Sequence, residues 1–451
     1  MDYPVIDAAF IKHLRKKIAE QDHEFIAEFV GAAYAQDIAE LTDKLNPEEV
    51  KVVLHHILQS DKKVKVLVEM EEGVREKVLA NYTPAEIAGQ FIQNMDSDDA
   101  TYVLTNLPNR DKELIIAQLT DIEFASSLLS LLSYDEHTAG GLMAVELVKA
   151  NENWTVQQAI DEIRRQAEEV ETIYVVYVVD DYLRLKGLIT LKNLILANPD
   201  SKLAEVKNEE VISVSTSADS EEIANLFKKY DLVVLPVINA LGQLVGRITV
   251  DDIVEVIKEE AKEDYQLMSG ITEDVDATDK VWLLSRARLP WLIIGLLGGV
   301  ASSRFIELYE NQIHIHPEMA FFMPLIAAMG GNAGVQSSAI VVQGLANNTL
   351  GTKNIIPKVL KELRVAILNA MICASLLFAY NHFFSHSYNL SITVSTALFS
   401  VIIFASVLGT FIPLLLEKIK VDPAIATGPF ITTTNDLLGL ALYFYIGRLL
   451  Y

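Results

Sequence analysis

The sequence predicts a multi-domain α-helical membrane protein whose first part lies in water and whose last part forms about five membrane-spanning helices. Three observations support this fold class. Acidic residues are concentrated before Trp282, long apolar stretches fill the chain after it, and a repeated strand-and-helix pattern interrupts the otherwise helical first part. In order, the predicted parts are a helical superhelix over 1–132, an α/β pair of repeats over 133–262, an acidic connecting helix over 251–281 and a membrane domain over 282–451.

The distribution of charge divides the chain between two solvents. Before Trp282 there are 27 Lys and Arg against 54 Asp and Glu, whereas from Trp282 onward there are 10 against 7. This asymmetry indicates an acidic, water-exposed part and a nearly uncharged part embedded in lipid. The acidity argues against a nucleic-acid partner, because such binding needs clustered Lys and Arg. The single cysteine, Cys373, excludes an intrachain disulfide and fits a reducing compartment, and the first residues do not resemble a cleavable signal.

Residues 1–132 predict a succession of short helices. Cap residues followed by proline, as in Asn46-Pro47 and Thr83-Pro84, with acidic residues in the next turn, are typical of helix starts. Apolar residues recur at helical spacing between these starts. Many short helices in series predict a superhelical stack. The carboxylates of the connecting loops can cap these helices or hold cations.

The second part contains an internal repeat with an offset of 59 residues and no gap. Residues Val176–Ile195 match Leu235–Val254, and each copy predicts a strand, a tight turn, a strand and a helix. An amphipathic helix precedes each copy, at Val156–Arg165 and Ser220–Lys229. The pattern resembles the CBS motif. A pair of CBS motifs implies a regulatory module that binds adenosine compounds or ions and is seldom catalytic.

An acidic helix over 251–281 is predicted to join this pair to the membrane domain. Like charges four residues apart on a helix destabilise it by about a few tenths of a kcal/mol per pair. A cation or a basic partner is therefore expected to relieve the repulsion, and a solvated acidic face is the alternative. The acidic residues of this run are Glu255, Glu259, Glu260, Glu263 and Asp264.

Five apolar stretches follow Trp282, and most of them reach the ~20 residues that a spanning helix needs. The first is short, and its glycines suggest a tightly packed helix. Basic residues precede the first stretch and separate the second from the third and the fourth from the fifth. This pattern predicts a cytoplasmic N-terminal part and a C-terminus outside. The stretches are Leu289–Phe305, Met319–Ala346, Val365–Phe384, Ile392–Leu416 and Ala424–Leu450.

Asp436 is the only acidic residue in the last apolar stretch. A carboxylate in the middle of a bilayer costs about 2.5–3.5 kcal/mol on insertion scales, so such residues usually face a wet cavity or an ion path. Hydroxyls and an amide surround it, and the second stretch carries the polar, glycine-rich run Gly330–Ser338. Together these segments predict a pore wall, and therefore an ion-conducting protein. The alternatives are a carboxylate neutralised by a neighbouring helix and a glycine-packed helix interface.

The whole arrangement resembles the MgtE family of magnesium channels and transporters. The motifs that carry the resemblance are Glu136–Met143 before the first repeat, Pro324 with Gly330–Ser337 in the second stretch, and Asp422–Gly439 in the last. The resemblance covers essentially the full chain. It implies a homodimer in the cell (inner) membrane, in contact with lipid, that is not an enzyme and takes up Mg²⁺, with transport of other divalent cations left open.

The resemblance also implies a set of cation ligands. In the pore, Asp436 would hold hydrated Mg²⁺ with the backbone near Thr432 and with Asn332. In the cytoplasm, Mg²⁺ would bridge the helical domain, the CBS pair and the connecting "plug" helix and hold the pore shut. Carboxylates with bound water are the ligands that Mg²⁺ prefers. The implied regulatory ligands are Asp96, Asp99, Asp219, Glu221, Asp231, Asp252, Glu255, Glu260, Glu263, Asp264 and Asp422.

Two positions depart from the family pattern. Lys192-Asn193 stands where ATP-binding members carry an Arg-Asp pair, which argues against ATP as a cofactor beside Mg²⁺, and Glu255 stands where an Asp can occur. Two other functions stay open: a CBS-regulated exporter of divalent cations, and a membrane-anchored nucleotide sensor that conducts nothing. Asp436 and the glycine-rich run argue against the sensor, because a membrane anchor needs neither.

Overall fold

The computed structural model describes residues 6–166, 170, 172–275, 280–346, 350, 355–384 and 387–450. The chain divides into two compact units, Met1–Lys258 and Glu259–Tyr451. The first unit holds the short helices and two small sheets. The second holds the end of the acidic helix and the long apolar helices.

The N-terminal domain stacks short helices around one continuous apolar core, as the sequence predicts. Two predicted helix starts are confirmed, because Asn46 with Glu49 and Thr83 with Glu86 form reciprocal capping boxes. Each such cap contributes about 1 kcal/mol of stability. The helices are α1 (Ala8–Ala19), α2 (His23–Ala32), α3 (Ala35–Thr42), α4 (Pro47–His56), α5 (Ser60–Val68), α6 (Glu72–Leu79), α7 (Pro84–Gln90), α8 (Ser97–Thr105), α9 (Asn109–Ile116) and α10 (Ile122–Leu131), with a 3₁₀ turn at Ile92–Asn94.

The repeated part forms two three-stranded sheets of the same topology. In each sheet the first strand runs parallel to the second, which pairs antiparallel with the third. The 59-residue offset holds for the two antiparallel strands of each sheet, and both copies have a register shift at the same point of that ladder. The first strands are 64 residues apart, because Ala150 pairs with Val178 whereas Val214 pairs with Val237. The elements are α11 (Ala139–Leu142), β1 (Lys149–Asn151), α12 (Val156–Gln166), β2 (Val175–Val179), β3 (Leu185–Thr190), α13 (Leu191–Leu196), α14 (Leu203–Val206), β4 (Val214–Ser215), α15 (Ser220–Tyr230), β5 (Val234–Ile238), β6 (Leu244–Thr249) and α16 (Val250–Met268).

The second unit is built from long apolar helices. They are α17 (Val281–Glu307), α18 (Glu310–Ile315), α19 (Met323–Ala346), α20 (Ile355–Phe384), α21 (Tyr388–Lys418) and α22 (Gly428–Leu450), with 3₁₀ turns at Pro317–Phe322 and Pro423–Ala426. Among the described residues, four segments are long and apolar enough to cross a membrane: α17, α19 with its preceding 3₁₀ turn, α20 and α21. The predicted fifth span forms α22, whose 23 residues are long enough but include Asp436 and Arg448. Five spans therefore stay a prediction.

Helix α21 is the centre of this unit. It packs along α19, α20 and α22, and its buried residues extend from Leu390 to Leu414. Helix α17 packs mainly against α22. Of the α17 glycines that predict tight packing, Gly298 abuts Thr433, whereas Gly295 and Gly299 face open space.

Three helix boundaries differ from the sequence-based prediction. Helix α17 has 27 residues and is not short, because the charged turn before Leu289 is also helical. Helix α20 likewise begins ten residues before the apolar stretch, at Ile355. The acidic helix α16 ends at Met268, and Gly270 turns the chain with a φ of 78°. Residues 276–279 of the predicted 251–281 segment lie outside the described residues. Apolarity marks where lipid begins, which is not where a helix begins.

Candidate ion pathway and regulatory carboxylates

Helix α22 places Asp436 beside the glycine run of α19. Thr432 and Asp436 are four residues apart and share one face of the helix. A Cβ atom built on Gly331 would lie 3.3 Å from Thr432 Cγ2 and 3.7 Å from Asp436 Oδ1. Asp436 and Thr432 are half-buried, and Asn332, the residue after Gly331, is exposed. The structure thus brings the three predicted pore residues to one level of the α19–α22 pair.

The glycines of α19 allow its neighbours to approach closely. A Cβ on Gly334 would overlap the Asn435 amide and lie 2.8 Å from Ile431 Cγ2. From the other side, a Cβ on Gly409 of α21 would lie 3.0 Å from Gly334 Cα. Gly334 is therefore a packing point of three helices, as in the alternative interpretation of the glycine run, while Gly331 packs against Thr432 and Asp436. The run contributes both to packing and to the candidate pathway.

We predict that Gly334→Ala destabilises the membrane unit by about 1–3 kcal/mol, the usual cost of inserting a methyl group into a packed core. Gly295→Ala is the matched control, because its added Cβ would have no described atom within 4 Å apart from its own helix backbone. The measurement is the thermal unfolding midpoint of each purified full-length variant in detergent. Equal midpoints for the two variants would contradict the packing role of Gly334.

Two further polar features lie near the pathway, and one of them involves Glu362, which the sequence analysis did not single out. Asn435 is 1% exposed, and neither its amide nitrogen nor its amide oxygen has a hydrogen-bond partner in the described structure. Ser337 Oγ donates to Glu362 Oε1 of α20 at 2.7 Å. Glu362 could have been noticed in the sequence, because it is a single acidic residue among the basic residues Lys358, Lys361 and Arg364.

The end of the acidic helix α16 contacts the start of α22. Gly428 has a φ of 48°, and a Cβ there would overlap the Met268 carbonyl oxygen. A Cβ on Gly270 would lie 2.6 Å from Pro429 Cγ. The backbones can approach only because both positions are glycine. The last turn of α16 is therefore fitted directly against the first turn of the helix that carries Asp436.

The segment after α16 is tied to the first long helix. Thr272 donates from its amide nitrogen and from its hydroxyl to the Ala287 carbonyl oxygen, each at 3.0 Å. Arg286 pairs with Glu273 at 2.8 Å. A displacement of α16 would therefore strain its connections to both α17 and α22.

Four predicted ligands lie together at this end of the second unit. Burial, and then the charges of Asp422, Glu260 and Glu263, raise the pKa of the Asp264 carboxyl. Asp422 accepts a hydrogen bond from the Ala424 amide at 2.7 Å and begins the 3₁₀ turn that leads into α22. This group concentrates negative charge beside the start of α22.

A second group of carboxylates lies between α8 and the start of α16, within the first unit. Burial, and then the charges of Asp252, Asp99 and Asp96, raise the pKa of Asp98 well above its ordinary value. Burial also raises the pKa of Asp252, although the Thr249 amide and hydroxyl donate to it at 2.9 and 2.6 Å. Asp98 is absent from the predicted ligands, which include its neighbours. The Asp-Ser-Asp-Asp run was the signal that could have found it.

We predict that Asp98→Asn stabilises the metal-free protein at neutral pH. A carboxyl whose pKa is raised in the folded state destabilises that state once it is ionised. Stability is therefore gained as the pH falls through the folded-state pKa toward the ordinary value. The variant should unfold at a higher temperature than wild type in EDTA at neutral pH and lose this advantage in acid. The exposed substitution Asp111→Asn is the control, and a lower melting temperature for Asp98→Asn would contradict the prediction.

The remaining predicted ligands are dispersed. Asp219 caps α15 by accepting from the Glu221 amide at 3.0 Å, while Asp231 ends the same helix with a φ of 50°. These ends are about 16 Å apart along eleven residues, so one ion cannot touch both. Glu255 is exposed. Within the described part of one chain, no cluster of three or more His, Cys, Asp or Glu residues is arranged to hold a metal ion.

Three family models match consecutive parts of the chain. The "MgtE intracellular N domain" matches residues 33–137, the "CBS domain" matches residues 139–200 and 203–259, and "MgtE: Divalent cation transporter" matches residues 323–446. The chain is 32% identical over 446 residues to the magnesium transporter MgtE of Thermus thermophilus, covering 97% of each chain. It is 34% identical over 355 residues to MgtE of Bacillus subtilis, covering 79% of this chain and 78% of the relative.

Two solved structures are similar to the first part of the chain. The cytosolic domain of the Mg²⁺ channel MgtE in complex with ATP has a TM-score of 0.51 and 34% identity, covering 55% of this chain and 99% of that one. The soluble part of a magnesium transporter has a TM-score of 0.50 and 30% identity, covering 56% of this chain and 98% of that one.

Proposed function

Since the chain belongs to the MgtE family of magnesium transporters, which are not enzymes, we propose that it conducts Mg²⁺ into the cytoplasm and closes when cytoplasmic Mg²⁺ is high. The pathway runs between α19 and α22. The observation that carries the proposal is the half-buried Asp436 carboxylate facing the side-chain-free surface of Gly331.

The chemistry of this level suits a hydrated ion. Mg²⁺ gives up its water reluctantly and is usually held through that water by one or two carboxylates and other oxygens. The half-buried Asp436 carboxylate and the exposed Asn332 amide offer oxygen ligands that a hydrated ion could contact through its water. Conduction needs binding that is strong enough to admit the ion and weak enough to release it.

A homodimer would complete this pathway. Asn332 is exposed on one chain although it lies in the middle of an apolar helix. An amide facing hydrocarbon is costly, so a second copy and the water of a shared pore are its expected surroundings. Two chains would present a pair of Asp436 carboxylates to one axis, with lipid around the outer helices.

Closure is proposed to depend on the acidic groups at both ends of α16. Asp98 and Asp252 lie at its start, and Asp264 and Asp422 lie near its end. Without cations these carboxylates repel each other, and Mg²⁺ held between them would replace repulsion by attraction. Since the end of α16 is fitted against Gly428 and Pro429, holding α16 in place would hold the start of α22. Mg²⁺ therefore shifts the population toward the closed state by binding it more tightly.

The dispersed carboxylates are suited to hold ions that are shared with another chain or another domain. Asp219, Glu221 and Asp231 are exposed at the two ends of α15. Together with Glu255, Glu260 and Glu263, they would act as regulatory ligands. Each bound Mg²⁺ would also contact oxygen ligands on another surface. ATP is assigned no role here, although a related cytosolic domain is known in complex with ATP, because Lys192-Asn193 replaces the Arg-Asp pair that the family resemblance implies for nucleotide binding.

The test is Mg²⁺ entry into proteoliposomes that contain the purified full chain, followed with a Mg²⁺-sensitive dye at low and at high Mg²⁺ on the side of the cytoplasmic domains. We expect entry at low Mg²⁺ and little entry at high Mg²⁺. Protein-free liposomes are the control. Movement only outward from the cytoplasmic side would support an exporter, and no movement in either direction would support a non-conducting sensor.

A further inference from the structure

An apolar groove that the proposed transport does not use lies between three helices of the membrane unit. Its volume is about 390 Å³, and helices α17, α21 and α22 form its walls. The residues that line it carry no charge, and tyrosine hydroxyls are their only polar side-chain groups. The groove is therefore suited to an apolar group. Its walls include Phe305 and Tyr309 of α17, Phe404 of α21, and Leu438, Ala441 and Tyr445 of α22.

The groove lies on the face of α22 opposite to Asp436. Leu438, Ala441 and Tyr445 follow one another at helical spacing and share one face of the helix. Leu438 is two residues after Asp436, which is a rotation of about 200° at 3.6 residues per turn. The groove and the candidate pathway therefore lie on opposite sides of α22. A second chain that completes the pathway at Asp436 would face away from this groove.

The length of the groove matches one leaflet of a membrane. Tyrosines are enriched where hydrocarbon meets water, and Tyr309 and Tyr445 lie toward the ends of α17 and α22. Tyr309 stacks on Phe444 with ring centroids 4.7 Å apart, which fixes the ring beside α22. From Leu438 to Arg448, α22 rises about 15 Å, which is half of the roughly 30 Å hydrocarbon core of a bilayer. The groove therefore extends from near the middle of the membrane to its surface.

Arg448 supplies a positive charge at the surface end of this groove. It is three residues after Tyr445 and seven after Ala441, so it continues the same face of α22. Its side chain is exposed, and within the described part of the chain it forms no ion pair. By contrast, Arg304 of α17 pairs with Glu307 at 2.8 Å. A guanidinium above an apolar groove fits a ligand that has an anionic head and an apolar tail.

We propose that the groove binds one anionic phospholipid, with an acyl chain along its apolar walls and the phosphate at Arg448. A guanidinium binds phosphate through two parallel N–H donors. The Tyr445 hydroxyl is a further donor at the same end. Phosphatidylcholine carries the same phosphate together with a cationic choline, so the net charge of the head group favours phosphatidylglycerol. The site lies away from the candidate pathway, and lipid binding does not depend on the proposed transport.

The test is native mass spectrometry of the delipidated full chain in detergent, titrated with dioleoyl phosphatidylglycerol or dioleoyl phosphatidylcholine. Wild type should bind one phosphatidylglycerol per chain about fivefold more tightly than phosphatidylcholine, the effect expected of one arginine at a membrane surface. Arg448→Ala should lose this preference and bind both lipids equally. Arg364→Ala is the matched control, because it removes an exposed arginine from α20, which does not line the groove, and it should keep the preference.

A second variant tests the groove itself. Ala441→Trp places an indole ring in the space assigned to the acyl chain and should weaken the binding of both lipids. The melting temperature of the lipid-free variant shows whether it is folded. For the exposed Arg448→Ala the folded state is expected to be unaffected.

Three results would overturn the proposal. An unchanged preference for phosphatidylglycerol in Arg448→Ala would contradict the head-group site, and unchanged lipid binding in folded Ala441→Trp would contradict the acyl-chain site. Dissociation of Ala441→Trp into single chains, with no lipid bound to wild type, would assign the groove to a second copy of the chain. None of these measurements requires Mg²⁺ entry, so a failure of lipid binding is distinguishable from a failure of transport.

Discussion

Replacing Asp436 by alanine is expected to reduce Mg²⁺ entry into proteoliposomes to the level of protein-free liposomes. Asp436 is the only acidic residue of α22, and its half-buried carboxylate lies beside Gly331 of α19. Without it, the α19–α22 level retains amide and hydroxyl groups but no charge to offset the partial desolvation of a divalent ion. An isolated charge at this depth costs several kcal/mol unless it serves an ion path, so its removal should cost flux rather than stability.

Conservative variants separate charge from shape at this position. Asp436→Asn keeps the size of the side chain and should also lose flux, whereas Asp436→Glu keeps the charge and should retain part of it. Glu310→Ala is the matched control, because it removes an acidic residue from the same unit at the short helix α18. Flux in Asp436→Ala equal to wild type, with the same amount of folded protein, would mean that the pathway passes elsewhere.

Local sequence signals predicted the elements of this molecule well. The capping boxes at Asn46 and Thr83 depend on residues three apart, and the 59-residue repeat corresponds to the same antiparallel strand register in both sheets. Asp436 was identifiable because a carboxylate in an apolar stretch is expensive wherever it lies. Polar residues of α19 and of α22 are both costly to expose to lipid. The two polar faces are therefore expected to face each other, which places Asp436 opposite Gly331.

Contacts between distant segments were harder to predict. Asp98 and Asp252 are 154 residues apart, and no periodicity relates a helix of the N-terminal stack to the start of α16. His23 and His56 show the same limit, because the sequence draws attention to the adjacent pair His55-His56, while the structure joins His56 to a residue 33 positions away. The close approach of Gly428 to Met268 depends on a left-handed backbone conformation at Gly428. Glycine allows this conformation, but its presence in the sequence does not predict it.

Neutralising the acidic end of α16 is expected to weaken closure by Mg²⁺. In the triple variant Glu260→Gln, Glu263→Gln, Asp264→Asn, the group around Asp422 loses three of its four carboxylates. If Mg²⁺ closes the pore by bridging this group, the concentration that halves entry should rise by about 5-fold or more, the lower range of a typical coupling energy between sites. The measurement is Mg²⁺ entry into proteoliposomes over a series of Mg²⁺ concentrations on the cytoplasmic side.

The level of flux at low Mg²⁺ distinguishes the two effects of these carboxylates. They repel each other when no ion is bound, and they would hold the ion that closes the pore. High flux at Mg²⁺ concentrations that close wild type means that the lost ligands dominate, which is the expected result. Low flux even without Mg²⁺ would mean that repulsion alone keeps the pore open. The triple variant Asp111→Asn, Glu113→Gln, Glu123→Gln removes the same charge from exposed positions of the N-terminal domain and should close as wild type does. Unchanged inhibition in the α16 variant would remove this segment from the closing mechanism.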